Sequence, residues 1–128
     1  MNYINISIAP KTYEGNKASY FKTTKANIND METLLKNHNY SLIKWSIAED
    51  KRENEYNRKR NARYFESASG IIVDIDEGLT IAGAIDKLKS NSLNYIIITS
   101  KSHQIQKKDS PAQDRYHILL FFQKETKS

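Results

Sequence analysis

The chain has 128 residues, 27% of them charged and 38% hydrophobic, with a net charge of +5 and no cysteine. That length bounds it to one domain with a small core, and the missing thiols exclude disulfides, thiolate zinc sites and a cysteine nucleophile. No stretch approaches the length of a membrane span and the first ten residues carry no basic leader, so the expectation is a soluble, cytoplasmic protein with no membrane partner.

Tyr3 to Ile8 alternates apolar and polar residues with the period of a half-buried strand, which Pro10 ends. A short strand over Ser19 to Thr23 follows, then a helix capped by Asn29 or Asp30, with Met31, Leu34 and Leu35 on one face. Tyr40 to Ile47 reads as one more strand. Gly70 introduces a run that is apolar on both faces from Ile71 to Ile75 apart from Asp74, the pattern of a central strand. Gly78 turns the chain, and Thr80 caps a helix in which Ile81, Ala84, Ile85 and Leu88 recur at i, i+3, i+4 and i+7. Tyr95 to Thr99 is the next strand. A helix between two strands predicts a βαβ unit (Ile71–Asp76, Thr80–Ser90, Tyr95–Thr99) with parallel strands and a right-handed crossover. The chain returns through Arg115 to Phe122 as a third apolar strand.

The excess positive charge lies in one segment. Residues 51–65 hold Lys51, Arg52, Arg58, Lys59, Arg60 and Arg63 against only Glu53 and Glu55, with Tyr56, Tyr64 and Phe65 interleaved. Such a segment can neutralise backbone phosphates and offer rings for base stacking. As a purely structural element it would be a solvated connector, a charged helix or a partly disordered loop.

The chemistry is expected where the strands end, because ligands of open α/β sheets collect outside the carboxyl ends of strands. Asp74-Ile75-Asp76 closes the first apolar run, and two alternating carboxylates suit magnesium, an oxygen-seeking ion that completes its octahedron with water and substrate phosphates. The second run ends in Thr99-Ser100-Lys101-Ser102-His103, so a lysine and a histidine stand about one strand spacing away to meet a triphosphate. Arg115, entering the third strand, adds a bidentate phosphate contact in this reading. His117 reads as a structural residue of that strand, and His38 as an exposed helix terminus.

These residues resemble the catalytic core of the archaeo-eukaryotic primase superfamily, the primase-polymerases of replicative primases, plasmids, phages and mobile elements. The resemblance covers roughly residues 70–122. It rests on Val73-Asp74-Ile75-Asp76-Glu77-Gly78 as the first motif, Thr99-Ser100-Lys101-Ser102-His103-Gln104 as the second, and Asp114-Arg115-Tyr116-His117-Ile118-Leu119-Leu120 as the strand that follows. It implies an RNA-recognition-like core over 66–128 beside an N-terminal α/β module over 1–65, with Asp74 and Asp76 binding catalytic Mg2+ or Mn2+. Ser100, Lys101, Ser102, His103 and Arg115 would then bind an NTP or dNTP, and Arg52, Arg58, Lys59, Arg60 and Arg63 a single-stranded DNA template. The implied activity is nucleotide transfer to a 3′-hydroxyl, as in a DNA primase or polymerase. The family's third acidic motif has no counterpart after Arg115 except Glu125 in a polar tail. The expectation is therefore the N-terminal part of a longer enzyme, with a helicase or C-terminal domain outside these residues.

Two other readings stay open. One is a non-catalytic RNA-recognition-like or ferredoxin-like module that binds nucleic acid through 51–65. The other is a haloacid-dehalogenase-like phosphatase, whose Asp-x-Asp also closes an apolar strand and whose next motif is matched by Ile98-Thr99-Ser100. Against the phosphatase, Glu77 stands where that family has glycine, and no later acidic pair is present.

Overall fold

A computed structural model describes residues 3–11, 19–50, 54–100, 103–106 and 111–127, with side chains described as far as Phe122. It is an α+β protein in which two antiparallel four-stranded sheets and two helices are built from two compact units, Met1–Ser69 with Gln123–Ser128, and Gly70–Phe122. The boundaries fall inside strands, at Ser69/Gly70 and at Phe122/Gln123.

In the first unit, β1 (Ile4–Pro10) is flanked by β2 (Tyr20–Ala26) and β3 (His38–Ser41), and β5 (Arg58–Lys59) extends the far side of β2, giving the order β3-β1-β2-β5. Ile4 faces Ala26 across β1 and β2, and Pro10 faces His38 at the end of β3, where the missing proline N–H does least harm. Helix α1 (Ile28–Asn37) begins two or three residues earlier than its sequence signals indicate. Asn27 caps it, its Oδ1 accepting from the N–H groups of Asn29 (2.9 Å) and Asp30 (3.1 Å), while Asp30 reaches back to the Asn27 N–H.

β1 is buried on both faces where alternation predicts one. Ser7 is only 1% exposed, and its hydroxyl donates to the Ile43 carbonyl, so the polar position is covered and satisfied at once. Ser69 does the same for the Asn5 carbonyl at 2.9 Å. The strand expected over Tyr40 to Ile47 is broken at the buried Leu42. β3 pairs with β1, whereas β4 (Ile43–Trp45) pairs with the first half of β6 (Phe65–Ile75) in the other sheet. Trp45 packs on Phe21, with ring centroids 5.1 Å apart, in a core with Ala9, Ile43 and Tyr64.

In the second unit, the later half of β6 leads through a turn to α2 (Ile81–Ser90), then β7 (Tyr95–Thr99) and β8 (Tyr116–Lys127). The turn needs Gly78, whose φ of +87° lies in the left-handed region. The expected helix forms as read. Thr80 Oγ1 accepts from the Gly83 N–H at 3.1 Å, and Ala84 and Leu88 bury its apolar face against Tyr116, Ile118, Val73 and Ile97.

The strand order β4-β6-β8-β7 corrects the expected parallel βαβ neighbours. β7 pairs antiparallel with β8, Ile98 facing His117 and Thr99 facing Tyr116, so β8 lies between the two strands that α2 connects. This is a split βαβ unit. The reason is burial: from Tyr116 to Phe122 β8 is apolar at every position but His117, with Tyr116 and Leu119 fully buried, and so takes the centre, while the Tyr95–Thr99 strand, half-buried to exposed, takes the edge. β6 and β8 approach closely. A Cβ on Gly70 would lie 2.0 Å from the Leu120 carbonyl oxygen.

Candidate functional site

Of the residues singled out in the second unit, Asp74, Asp76, Ser100, His103 and Arg115 lie toward one end of its sheet. On β6 the odd positions Val73 and Ile75 face α2, so Asp74 occupies the opposite face with its side chain 71% exposed. Asp76, two residues on, is similarly open. Across from them stand His117 of β8 and Arg115, the residue before that strand, at the same spacing of two. Arg115 Nε lies 3.5 Å from Asp76 Oδ1, and His117 Nε2 lies 3.5 Å from Asp74 Oδ1. An Asp-x-Asp thus faces an Arg-x-His, one cross-strand ion pair and one carboxylate–imidazole contact.

His103 is held close to this ladder. Its main-chain N–H donates to Ser100 O at 3.0 Å, and its ring Nδ1 accepts the Arg115 main-chain N–H at 3.1 Å. Ser100 N in turn donates to Arg115 O at 2.9 Å. Because the donor is a backbone amide, Nδ1 must be the unprotonated nitrogen of the neutral ring, and the proton sits on Nε2. With β8 interposed, the ends of β6 and β7 stand two strand spacings apart, about 9–10 Å, rather than the single spacing expected.

Arg115 is 1% exposed, and its guanidinium serves the loop rather than solvent. The two terminal nitrogens donate to the carbonyls of Ile105 and Pro111, the latter at 2.9 Å. A direct phosphate contact would require these bonds to be given up. Lys101 and Ser102 lie outside the described residues.

Asp114 was not among the expected site residues. Its Oδ2 accepts the N–H of Ile81, the first residue of α2, at 2.8 Å, and its Oδ1 accepts from the Gln104 side chain. The Ile81 N–H first and the Gln104 amide second hold its carboxyl below the usual range, with nearby His103 acting in the same direction. Next to it the buried Tyr116 hydroxyl donates to the carbonyls of Leu79 (2.9 Å) and Thr80 (3.1 Å), and burial pushes that phenol up. Asp114 therefore fastens the helix start to the entry of the strand that follows Arg115. His117, taken from sequence as structural, stands in the ladder. Its signal was the i, i+2 relation to Arg115, matching Asp74 and Asp76, which becomes readable once β8 is known to adjoin β6.

Two exposed oxygen ligands suit a hard divalent ion such as Mg2+, which needs few protein carboxylates. Among the described residues, no group of three or more His, Asp or Glu side chains is arranged to hold a metal.

Over its described residues, 54–65, the basic segment forms β5 and a 3-10 turn (Ala62–Tyr64) rather than a charged helix. Arg58 donates to Trp45 O at 2.7 Å and pairs with Glu66 at 3.3 Å, and Arg63 pairs with Glu49 at 2.7 Å. Lys59 lies over the rings of Tyr20 and Tyr64, and Arg63 over Tyr64 at 5.6 Å. Arg60 is exposed and Arg52 lies outside the described residues. No helix among the described residues is long and apolar enough to cross a membrane.

Comparison with protein-family models, with curated proteins and with solved structures finds no match.

Proposed function

We propose that this chain is the nucleotide- and metal-binding part of a primase-polymerase-type nucleotidyltransferase, acting on an NTP or dNTP with a single-stranded DNA template. The observation that carries the reading is the convergence at one sheet end of two open carboxylates, Asp74 and Asp76, with His103, whose Nδ1 is engaged and whose Nε2–H is left to donate. An N–H of that kind is a fitting partner for a phosphate oxygen. Asp74 and Asp76 supply oxygen ligands for Mg2+ or Mn2+, while the Arg115 guanidinium offsets their mutual repulsion when no cation is bound. A bound divalent ion supplies Lewis-acid charge to the attacking 3′-hydroxyl and the leaving pyrophosphate. The chain's own side chains orient the triphosphate and hold the carboxylates in register.

Isothermal titration tests this. Triphosphate affinity is expected to fall at least about tenfold when Mn2+ is replaced by EDTA, and by a similar factor in Asp74→Ala with Asp76→Ala. Equal affinity in manganese and EDTA would sink the proposal.

The non-catalytic reading has one observation in its favour, the stacking of Lys59 and Arg63 on tyrosine rings in the first unit. That surface is compatible with either function, since an enzyme of this type also has to hold its template.

A further inference from the structure

Arg115 makes an unusual number of commitments for one residue. Its guanidinium bonds the carbonyls of Ile105 and Pro111 and pairs with Asp76. Its main-chain N–H and carbonyl bond His103 Nδ1 and the Ser100 amide. Three segments therefore meet on it: the end of β6, the exit of β7, and the chain returning into β8. A buried guanidinium whose two terminal nitrogens are each bound by a carbonyl, and whose Nε faces the Asp76 carboxylate at 3.5 Å, is a rigid fixture, because its donors are fixed in direction and its charge is permanent. Rotation of the side chain would leave two carbonyls and a buried charge without partners.

We propose that Arg115 is a positioning residue, which fixes His103 in the Nε2–H tautomer with that N–H aimed outward, and which holds the Asp76 carboxylate in register with it. The side chain need not touch the ligand. It anchors the loop so that the Arg115 amide stays in line with His103 Nδ1, and a single residue thereby sets the geometry between a metal-ligand carboxylate and a phosphate donor. This deepens the nucleotide-binding reading of the same site and rests on it for the identity of the ligand, but the tautomer can be observed without any ligand.

Lysine can carry the charge but cannot span two carbonyls in a fork while pairing with Asp76, so Arg115→Lys separates charge from geometry. The experiment is long-range proton–nitrogen NMR of the His103 ring in the full chain at pH about 8, where a free imidazole is neutral. It is run on wild type and on Arg115→Lys, with titration of a nucleoside triphosphate and Mg2+ on both. The expected result is a single Nε2–H tautomer in wild type, averaging between tautomers in Arg115→Lys, and triphosphate binding weakened at least tenfold in the variant. A wild-type ring protonated on Nδ1 overturns the proposal even if the variant does not fold, and so does a folded Arg115→Lys protein whose His103 signals are unchanged. A shifted tautomer in the variant, with no triphosphate binding by either protein, upholds the positioning role and overturns the nucleotide reading instead.

Discussion

Asp114 does for the second unit what a distant N-cap does for a helix. Its carboxylate takes up the Ile81 N–H, an orphan donor of the first turn of α2, and it does so from the far side of the β7–β8 loop. Since its folded pKa is depressed, the contribution it makes to stability is present above the unfolded value of about 4 and is lost as pH falls through the folded value. Asp114→Asn is expected to melt lower than wild type at neutral pH and to show a flatter dependence of Tm on pH below about 4, measured by circular dichroism. An unchanged acid slope would mean that the carboxylate is not what fastens the helix. At this scale the site was only half legible. Asp74, Asp76 and His103 stand out because charged residues at the end of apolar runs are conspicuous. Asp114 and His117 do not, because their meaning depends on partners 33 and 43 residues away.

Among the elements, β6 depends most on a single residue. A methyl at Gly70 would collide with the Leu120 carbonyl, main chain against main chain, and neither strand can yield without breaking the ladder. Gly70→Ala is expected to cost about 2 kcal/mol or more, the range of overpacked cores, read as a lowered denaturant midpoint with an unchanged m value. A variant as stable as wild type would mean that the strands separate more readily than their spacing indicates. The elements that could be read from the sequence are those whose local signals suffice: α2 with its Thr80 cap and i, i+3, i+4, i+7 face, and β7 with its uninterrupted apolar run. The break at Leu42 left only a faint trace. Leu42 and Ile43 are adjacent apolar residues, so the alternation changes phase between them, but it is the pairing of the two halves with different strands that makes this a break. The centrality of β8 had a signal in its denser apolar run, but strand order is a property of pairing, which local pattern does not encode.

For the molecule as a whole, net charge overstates what is offered to a nucleic acid. If Arg58, Lys59, Arg60 and Arg63 all met phosphates, the affinity for single strands would fall with log salt at a slope of about −3. Arg58 and Arg63 are already paired with Glu66 and Glu49, so a shallower slope is expected. Fluorescence anisotropy with a single-stranded oligonucleotide across a salt series measures it. Glu49→Gln with Glu66→Gln should steepen the slope, while a flat response in wild type would remove this segment from the interface.

The position of β8 has a consequence in time. Gly70 and Leu120 lie against each other across a sequence gap on the order of fifty residues, so during synthesis β6, α2 and β7 all leave the ribosome before the strand that joins them exists. Until then β6 and β7 have no shared neighbour, and each presents an open edge to any other extended chain nearby. The second unit is thus assembled from its margins inward, and its vulnerable interval ends when its middle arrives.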